Sequence, residues 1–242
     1  MFFPVGRILI TKAHNLMRGV MDLLYPLRCG ACGINGYVLC KECVDTFLVV
    51  DEETTCPMCG MPVGVRSMCG KCLLDKNLFE EGIYGFYYDN RLRDAIHSFK
   101  FSGRKDVGKY LVGLVDTKIT GSSSRFDCIV PLPVTNRRLK ERGFNQSFIL
   151  AEEISKMTGK PVYHSALLKT KETRDQYSLS KGERKKNVRN AFSLAEDASI
   201  KGKRVLLVDD LYTTGHTARE AAQTLLRGKA GAILFFALAR TL

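Results

Sequence analysis

The sequence lacks a long apolar run. No stretch reaches the ~18–20 uncharged apolar residues that cross a bilayer, so a membrane-spanning helix is not expected. The first 27 residues are apolar but broken by Arg7, Lys12 and Arg18. They have neither the clean apolar core nor the small-residue cleavage site of a secretory signal, and the expected location is the cytoplasm. Low-complexity tracts are missing too. Acidic residues are in the minority, 25 against 37 Lys and Arg, for a net charge of +12. That balance favours polyanionic partners, phosphorylated small molecules or nucleic acid; solubility alone is the plainer reading. Cysteine is almost absent after residue 72, where Cys128 stands alone.

What is present divides the chain in two. Hydrophobic residues make up 45% of the 242, enough to exclude wholesale disorder and to build one ordinary domain plus a small module. Eight of the nine cysteines crowd into residues 29 to 72 as four knuckles: Cys29-x-x-Cys32, Cys40-x-x-Cys43, Cys56-x-x-Cys59 and Cys69-x-x-Cys72. Two thiolates three residues apart on a tight turn can face one metal, and two knuckles complete a tetrahedral Zn²⁺ site. Four knuckles imply two structural zincs over residues 29–75. The simplest pairing is sequential, Cys29, Cys32, Cys40 and Cys43 against Cys56, Cys59, Cys69 and Cys72; an interleaved pairing stays open. Four sulfurs leave no place for water, so neither site is catalytic. About 45 residues bury little core, and the metal would supply the folding energy. Disulfides fit poorly without a sign of secretion.

Ahead of the knuckles, residues 1–28 carry an expected amphipathic helix at 13–25, with Leu16, Met17, Val20, Met21, Leu23 and Leu24 on one side and Pro26 ending it. Packing onto its own protein is the favoured use; lying on a membrane surface is the other. Residues 73 to 82 read as a linker. Ile83 to Tyr88 reads as a strand, and Leu92 to Phe101 as a helix buried through Leu92, Ile96 and Phe99. The basic tip from Lys100 to Lys105 is either a phosphate contact or a solvated helix end, and His97 a surface residue. Cys128 to Pro133 reads as a buried strand. Behind it Arg137, Arg138, Lys140 and Arg142 put four cations within six residues, before a helix over roughly 144 to 158 closed by Gly159. Such a loop after a strand and before a helix suits pyrophosphate, for which arginine offers bidentate contacts; an exposed charged turn is the alternative. Ala232 to Leu238 reads as a closing buried strand.

The most informative stretch is Arg204 to Thr217. Apolar Val205 to Val208 run into Asp209 and Asp210, then into Thr213-Thr214-Gly215-His216-Thr217. Thr217-x-x-Glu220 reads as a capping box that opens a helix. A helix N-terminus, a glycine free to take positive φ and several hydroxyls favour a phosphate. The two carboxylates would repel phosphate, so they should face ribose hydroxyls or a bridging divalent cation. A buried parallel strand with a polar turn accounts for the apolar residues but not for adjacent acids followed by Thr-Thr-Gly.

This stretch resembles the phosphoribosyl-pyrophosphate (PRPP) loop of type I phosphoribosyltransferases, with no departure at any position. Pro131-x-Pro133, Arg137-Arg138, Arg142-Gly143-Phe144-Asn145-Gln146, Gln176, Arg184, Asn187-Val188, Phe192, the acid pair, Thr213-Thr214-Gly215 and the terminal Ala237-Leu238-Ala239-Arg240-Thr241 resemble the ComF family. These are competence-associated proteins related to the gluconate-utilisation protein GntX, and the likeness covers nearly the whole chain. It implies an α/β fold, a parallel twisted sheet with flanking helices and a hood, over residues 83–242, preceded by a double zinc ribbon. Residues 164–200, with Lys169, Lys171, Arg174, Gln176, Lys181, Arg184, Lys185, Lys186 and Arg189, correspond to the hood. That segment could close over the site, track a nucleic-acid backbone, or be a solvated insertion. The resemblance further implies PRPP or a related ribose phosphate as ligand, with Mg²⁺. Asp209 and Asp210 would hold the ribose, and Thr213, Thr214, Gly215, His216 and Thr217 the 5′-phosphate. Arg137, Arg138, Lys140 and Arg142 would take the departing pyrophosphate. Phosphoribosyl transfer is the expected chemistry, although a fold does not decide whether transfer occurs. The alternative is a non-catalytic single-stranded-DNA-binding protein in DNA uptake. Competence-machinery proteins are implied partners.

Overall fold

The computed structural model describes residues 26–75, 78–171 and 190–242. The expected helix at 13–25 and the middle of the expected hood, with Arg174, Gln176, Tyr177, Lys181, Arg184, Lys185, Lys186, Asn187, Val188 and Arg189, lie outside them.

The first helical turns are α1 (Lys41–Val44) and α2 (Gly70–Leu74), each starting at a knuckle cysteine. Strand β1 (Glu81–Tyr87) follows, then helices α3 (Asn90–Phe101), α4 (Lys105–Gly113) and α5 (Asp116–Gly121). Next come β2 (Cys128–Pro131), α6 (Asn136–Arg142) and α7 (Gln146–Thr158). A hairpin of β3 (Leu167–Lys169) and β4 (Phe192–Leu194) precedes β5 (Arg204–Tyr212), α8 (His216–Arg227) and β6 (Ala232–Arg240). Strands β1, β6, β5 and β2 form one parallel sheet in that order. A parallel sheet needs both faces covered, and its inner strands then read as continuous apolar runs. Strand β6 fits this: all nine residues are buried. Ile83, Phe86, Leu206, Val208 and Phe236 face one core, closed by α3, α4, α5 and α7. Tyr84, Val205, Leu207, Ile233 and Phe235 face the other, closed by α8 and the hairpin.

The cysteine module completes the sheet. Val49 bridges Phe86 antiparallel, with Val50 N–H donating to Gly85 O at 2.9 Å and Tyr87 N–H to Leu48 O at 2.8 Å. The exposed edge of β1 is thereby paired, which removes a site for unwanted strand addition. The module straddles this edge. Cys29, Leu39, Cys40 and Phe47 join the α3-side core, while Val50, Cys56, Met58, Cys59 and Cys72 join the α8-side core.

Three local expectations change. The supposed linker is anchored: Phe79 is buried and stacks on Phe235 at 5.1 Å, and Glu80 N–H donates to Ile233 O. The basic loop is a helix, α6. Thr135 caps it by accepting from Arg138 N–H, and Gly143 in the left-handed region ends it. The Thr217–Glu220 capping box does not form. Gly215, with φ +76°, stands at the cap position, so Thr217 lies inside the first turn and Glu220 instead accepts from Asn190 N–H at 2.7 Å.

Candidate functional site

The carboxyl ends of β2 and β5 are neighbours, in register from Cys128–Val205 to Pro131–Val208. Leu132 N–H continues the ladder to Val208 O at 2.9 Å. Two segments therefore meet at one end of the sheet: α6 and the start of α7 after β2, and the Thr213–Gly215 turn and α8 after β5. This is where ligands of open parallel sheets bind.

Asp209 and Asp210 end the apolar part of β5. Asp209 Oδ1 accepts from Asp210 N–H at 2.8 Å and from Ser147 Oγ at 3.3 Å. Ser147 lies in the first turn of α7, whose Asn145 cap also ties back to Leu132 O at 3.1 Å. Asp210 pairs with Lys100 Nζ at 3.0 Å, and both side chains are nearly buried. Burial, then the neighbouring charge of Asp210, raise the Asp209 carboxyl to about 7. One acid thus has a lysine as its partner, while burial beside that acid leaves the other poised to gain or lose a proton near neutrality.

The hydroxyl–glycine turn forms the adjoining wall. Asp209, Tyr212, Thr213, Gly215, His216 and Thr217 line one depression. In the same turn the Thr214 hydroxyl is buried and has no hydrogen-bond partner among the described residues. An unmade bond of this kind costs free energy that a ligand can recover. Gly215 cannot be replaced cheaply: its φ is left-handed, and a β-carbon would collide with the Tyr212 hydroxyl.

The four cations of α6 separate. Arg137 is exposed and reaches Glu141 at 3.3 Å; Lys140 is exposed. Arg142 donates to Gln146 Oε1 at 2.9 Å and lies over the Phe101 ring. Arg138 is half-buried and bears on Lys169 of β3. Burial, then Arg138, push the Lys169 amine down to about 8, against the pull of Asp209. Lys169 is thus the group on which both Arg138 and Asp209 act. Sequence reading gave Ser147 no role at this site; it placed Lys100 only in a basic tip, phosphate contact or solvated helix end, and Lys169 only in the hood, neither of them beside the acid pair. Lys100 carried a signal: it follows Ile96 by four positions on the buried stripe of α3, where a charge demands a partner.

The cysteines assemble sequentially. Cys29, Cys32, Cys40 and Cys43 form one cluster and Cys56, Cys59, Cys69 and Cys72 the other, with all four sulfurs of each within 4.8 Å. Cys32 and Cys40 sulfurs are 3.6 Å apart, and those of Cys59 and Cys69 3.7 Å. A tetrahedral zinc with bonds of about 2.3 Å separates its sulfurs by about 3.8 Å, so both clusters fit the metal. Cys128 is remote from both in role: burial raises its thiol to about 11, which leaves it an inert core residue.

Sheet, flanking helices and paired knuckles define the class, a double zinc ribbon joined to an α/β domain with a parallel sheet. Residues 20–73 match the double zinc ribbon domain. The DNA utilization protein YhgH of Escherichia coli K12 is 34% identical over 223 residues, 90% of this chain and 94% of its own. Competence protein F of Haemophilus influenzae is 29% identical, over 89% of this chain and 98% of its own. The chain belongs to this family, the ComF family. Among solved structures, glutamine PRPP amidotransferase from B. subtilis with ADP and GMP aligns at 20% identity and a TM-score of 0.40, over 59% of this chain and 30% of that one. No helix among the described residues is long and apolar enough to cross a membrane.

Proposed function

We propose that the site at the ends of β2 and β5 binds PRPP or a related ribose phosphate together with Mg²⁺, and that phosphoribosyl transfer is its chemistry. The observation that carries this is the acid pair leading directly into a turn with a left-handed glycine and a buried hydroxyl that lacks a partner among the described residues. Asp209 and Asp210 accept from the ribose hydroxyls. Residues Thr213 to Thr217, at the N-terminus of α8, take the 5′-phosphate. Arg138, with Lys169 beside it, faces the pyrophosphate, and the exposed Arg137 and Lys140 with Arg142 add positive field. The donor set suits a hard cation that keeps its waters and the ligand's own oxygens, for which one or two carboxylates suffice. Such a cation neutralises charge that builds on the pyrophosphate. The protein's part is positioning and electrostatic stabilisation. The names of the relatives connect this chain to DNA utilization and competence.

Asp209→Asn with Asp210→Asn should abolish PRPP binding in calorimetry while circular dichroism stays unchanged; retained affinity removes the ribose assignment. A pH series tests the same acids. Ionised, Asp209 offers both oxygens as charged acceptors to the ribose and the cation, whereas the neutral acid turns one into a donor, so affinity should rise about tenfold between pH 6 and 8. Stability runs the other way. The folded pKa lies above the unfolded value, so the contribution present at low pH is lost as pH rises from about 4 through about 7.

A second reading has its own observation. Arg137 and Lys140 are exposed on one short helix beside the half-buried Arg142, which lies over an exposed Phe101. Cations interleaved with an aromatic suit a single-stranded polyanion, with steep salt dependence. Oligonucleotide binding that is insensitive to salt would sink this reading.

A further inference from the structure

Arg240 ends β6, level with Tyr87 of β1 and Tyr212 of β5. It is only 3% exposed, yet its Nε and Nη1 have no hydrogen-bond partner among the described residues. A guanidinium does not shed its proton in a protein, so burial must be offset by an anion or by acceptors. Among the described residues neither Nε nor Nη1 meets a carboxylate. What they place against it is the second cysteine cluster. Gly60, directly after Cys59, lies so close that a β-carbon there would be 3.2 Å from Arg240 Cδ and 2.7 Å from the Tyr84 ring. Tyr84 in turn packs edge-on against Tyr212 at 5.3 Å, and both rings feel Cys59, Cys72 and Arg240 electrostatically. Four thiolates around one Zn²⁺ carry a net double negative charge, and partners outside the ligand sphere stabilise such centres.

We propose that Arg240 is the buried counter-cation of the Cys56–Cys59–Cys69–Cys72 centre, and that this unit holds the phosphate turn in shape. The mechanical path is continuous. The Tyr84 hydroxyl donates to Met58 O at 2.8 Å, between the two cysteines of one knuckle. The Tyr84 ring meets Tyr212 edge-on at 5.3 Å, and the Tyr212 hydroxyl abuts Gly215. Thr241 N–H, one residue past Arg240, donates to Tyr212 O at 2.9 Å. Loss of the metal would leave Arg240 without its anion, and Met58 and Gly60 free to leave the tyrosine pair. The second half of this proposal rests on reading Thr213–Thr217 as a phosphate turn; the first half does not.

The test is chelator-driven zinc release from the full-length, two-zinc protein, followed by absorbance. Cys69→Ser identifies the phase that belongs to the second centre. Arg240→Gln should speed that phase about tenfold and leave the other unchanged. Arg240→Lys keeps the charge but not the planar fork, and should speed it about threefold; it carries the test if the glutamine variant does not fold. Wild-type rates at both centres in the variants, or fewer than two zincs per chain, overturn the counter-cation. Linkage is reciprocal, so inorganic phosphate, the probe of the turn, should slow the second phase alone. Inorganic phosphate that binds in calorimetry but slows neither phase overturns the coupling to the turn. Inorganic phosphate that does not bind at all removes the phosphate reading and the coupling with it, and leaves the Arg240 result standing.

Discussion

The two cysteine clusters have nearly the same spacing and opposite surroundings. The first sits on the α3 face of the sheet. Gly30 packs on Val107 of α4 and near Ser98 of α3, and Arg104 Nη1 donates to Arg28 O at 2.6 Å. Two residues beyond Ser98, Lys100 reaches Asp210. The second sits on the α8 face, against Tyr84, Tyr212 and, through them, Gly215. One centre therefore stands behind the acids, through a long side chain and an ion pair. The other stands behind the Thr213–Thr217 turn, through packed rings. An ion pair on a flexible lysine tolerates small displacements, whereas close-packed rings transmit them.

The largest expected effect comes from removing one centre at a time. Cys69→Ser with Cys72→Ser should weaken both inorganic phosphate and ribose 5-phosphate by at least about tenfold, roughly 1.4 kcal/mol. Cys29→Ser with Cys32→Ser should leave phosphate within about twofold and weaken ribose 5-phosphate about threefold, because only the sugar needs the acids. Both variants should melt lower than wild type, since thiolate-bound metal is folding energy. Equal losses for both ligands in both variants would show that the centres act only through global stability, and the contrast would break.

A smaller effect separates the two glycines. Gly60 has φ +65° and faces the Tyr84 ring; Gly30 has no positive φ, and a β-carbon there would lie 2.6 Å from one Val107 methyl. Gly60→Ala adds left-handed strain to overpacking, for about 2–4 kcal/mol. Gly30→Ala carries overpacking alone, about 1–2 kcal/mol. Urea denaturation of the two variants measures the difference, and a larger loss at Gly30 would reverse the ranking of the two contacts.

Much of this was legible in the chain because it is written locally. Val205 to Val208 before two acids gave the strand and its polar end, and the knuckle spacing gave two metal clusters. The turn at Thr213–Thr217 was legible as a turn, but not its helix start, because Thr217-x-x-Glu220 satisfies a capping pattern that Gly215 pre-empts just before it. The α6 helix was hidden by its charge. Its arginines, leucine, lysine and glutamate are good helix formers, with Thr135 and Gly143 as caps, and those signals outweigh the reading of a charge cluster as loop. Pairing of Val49 with Phe86 and burial of Arg240 depend on contacts between distant segments, which no local period encodes. Lys100 lay between these cases, readable only if a charge on an apolar stripe is taken as a request for a partner.

The smallest effect concerns the polar tie between the second half of the module and α8. Asp75 pairs with Arg219, the fourth residue of α8, at 3.0 Å, with the acid 41% exposed. A pair open to water on one side gains little beyond its desolvation and ordering costs, and salt screens it. A double-mutant cycle of Asp75→Asn and Arg219→Gln should give a coupling of about 0.3–1 kcal/mol at low salt, shrinking in about 1 M salt. The ring path through Tyr84 and Tyr212 should be unaffected by salt, because its contacts are apolar and buried. A salt-resistant coupling above about 2 kcal/mol would transfer the bracing of the turn from the tyrosines to this ion pair, since α8 begins at the turn itself.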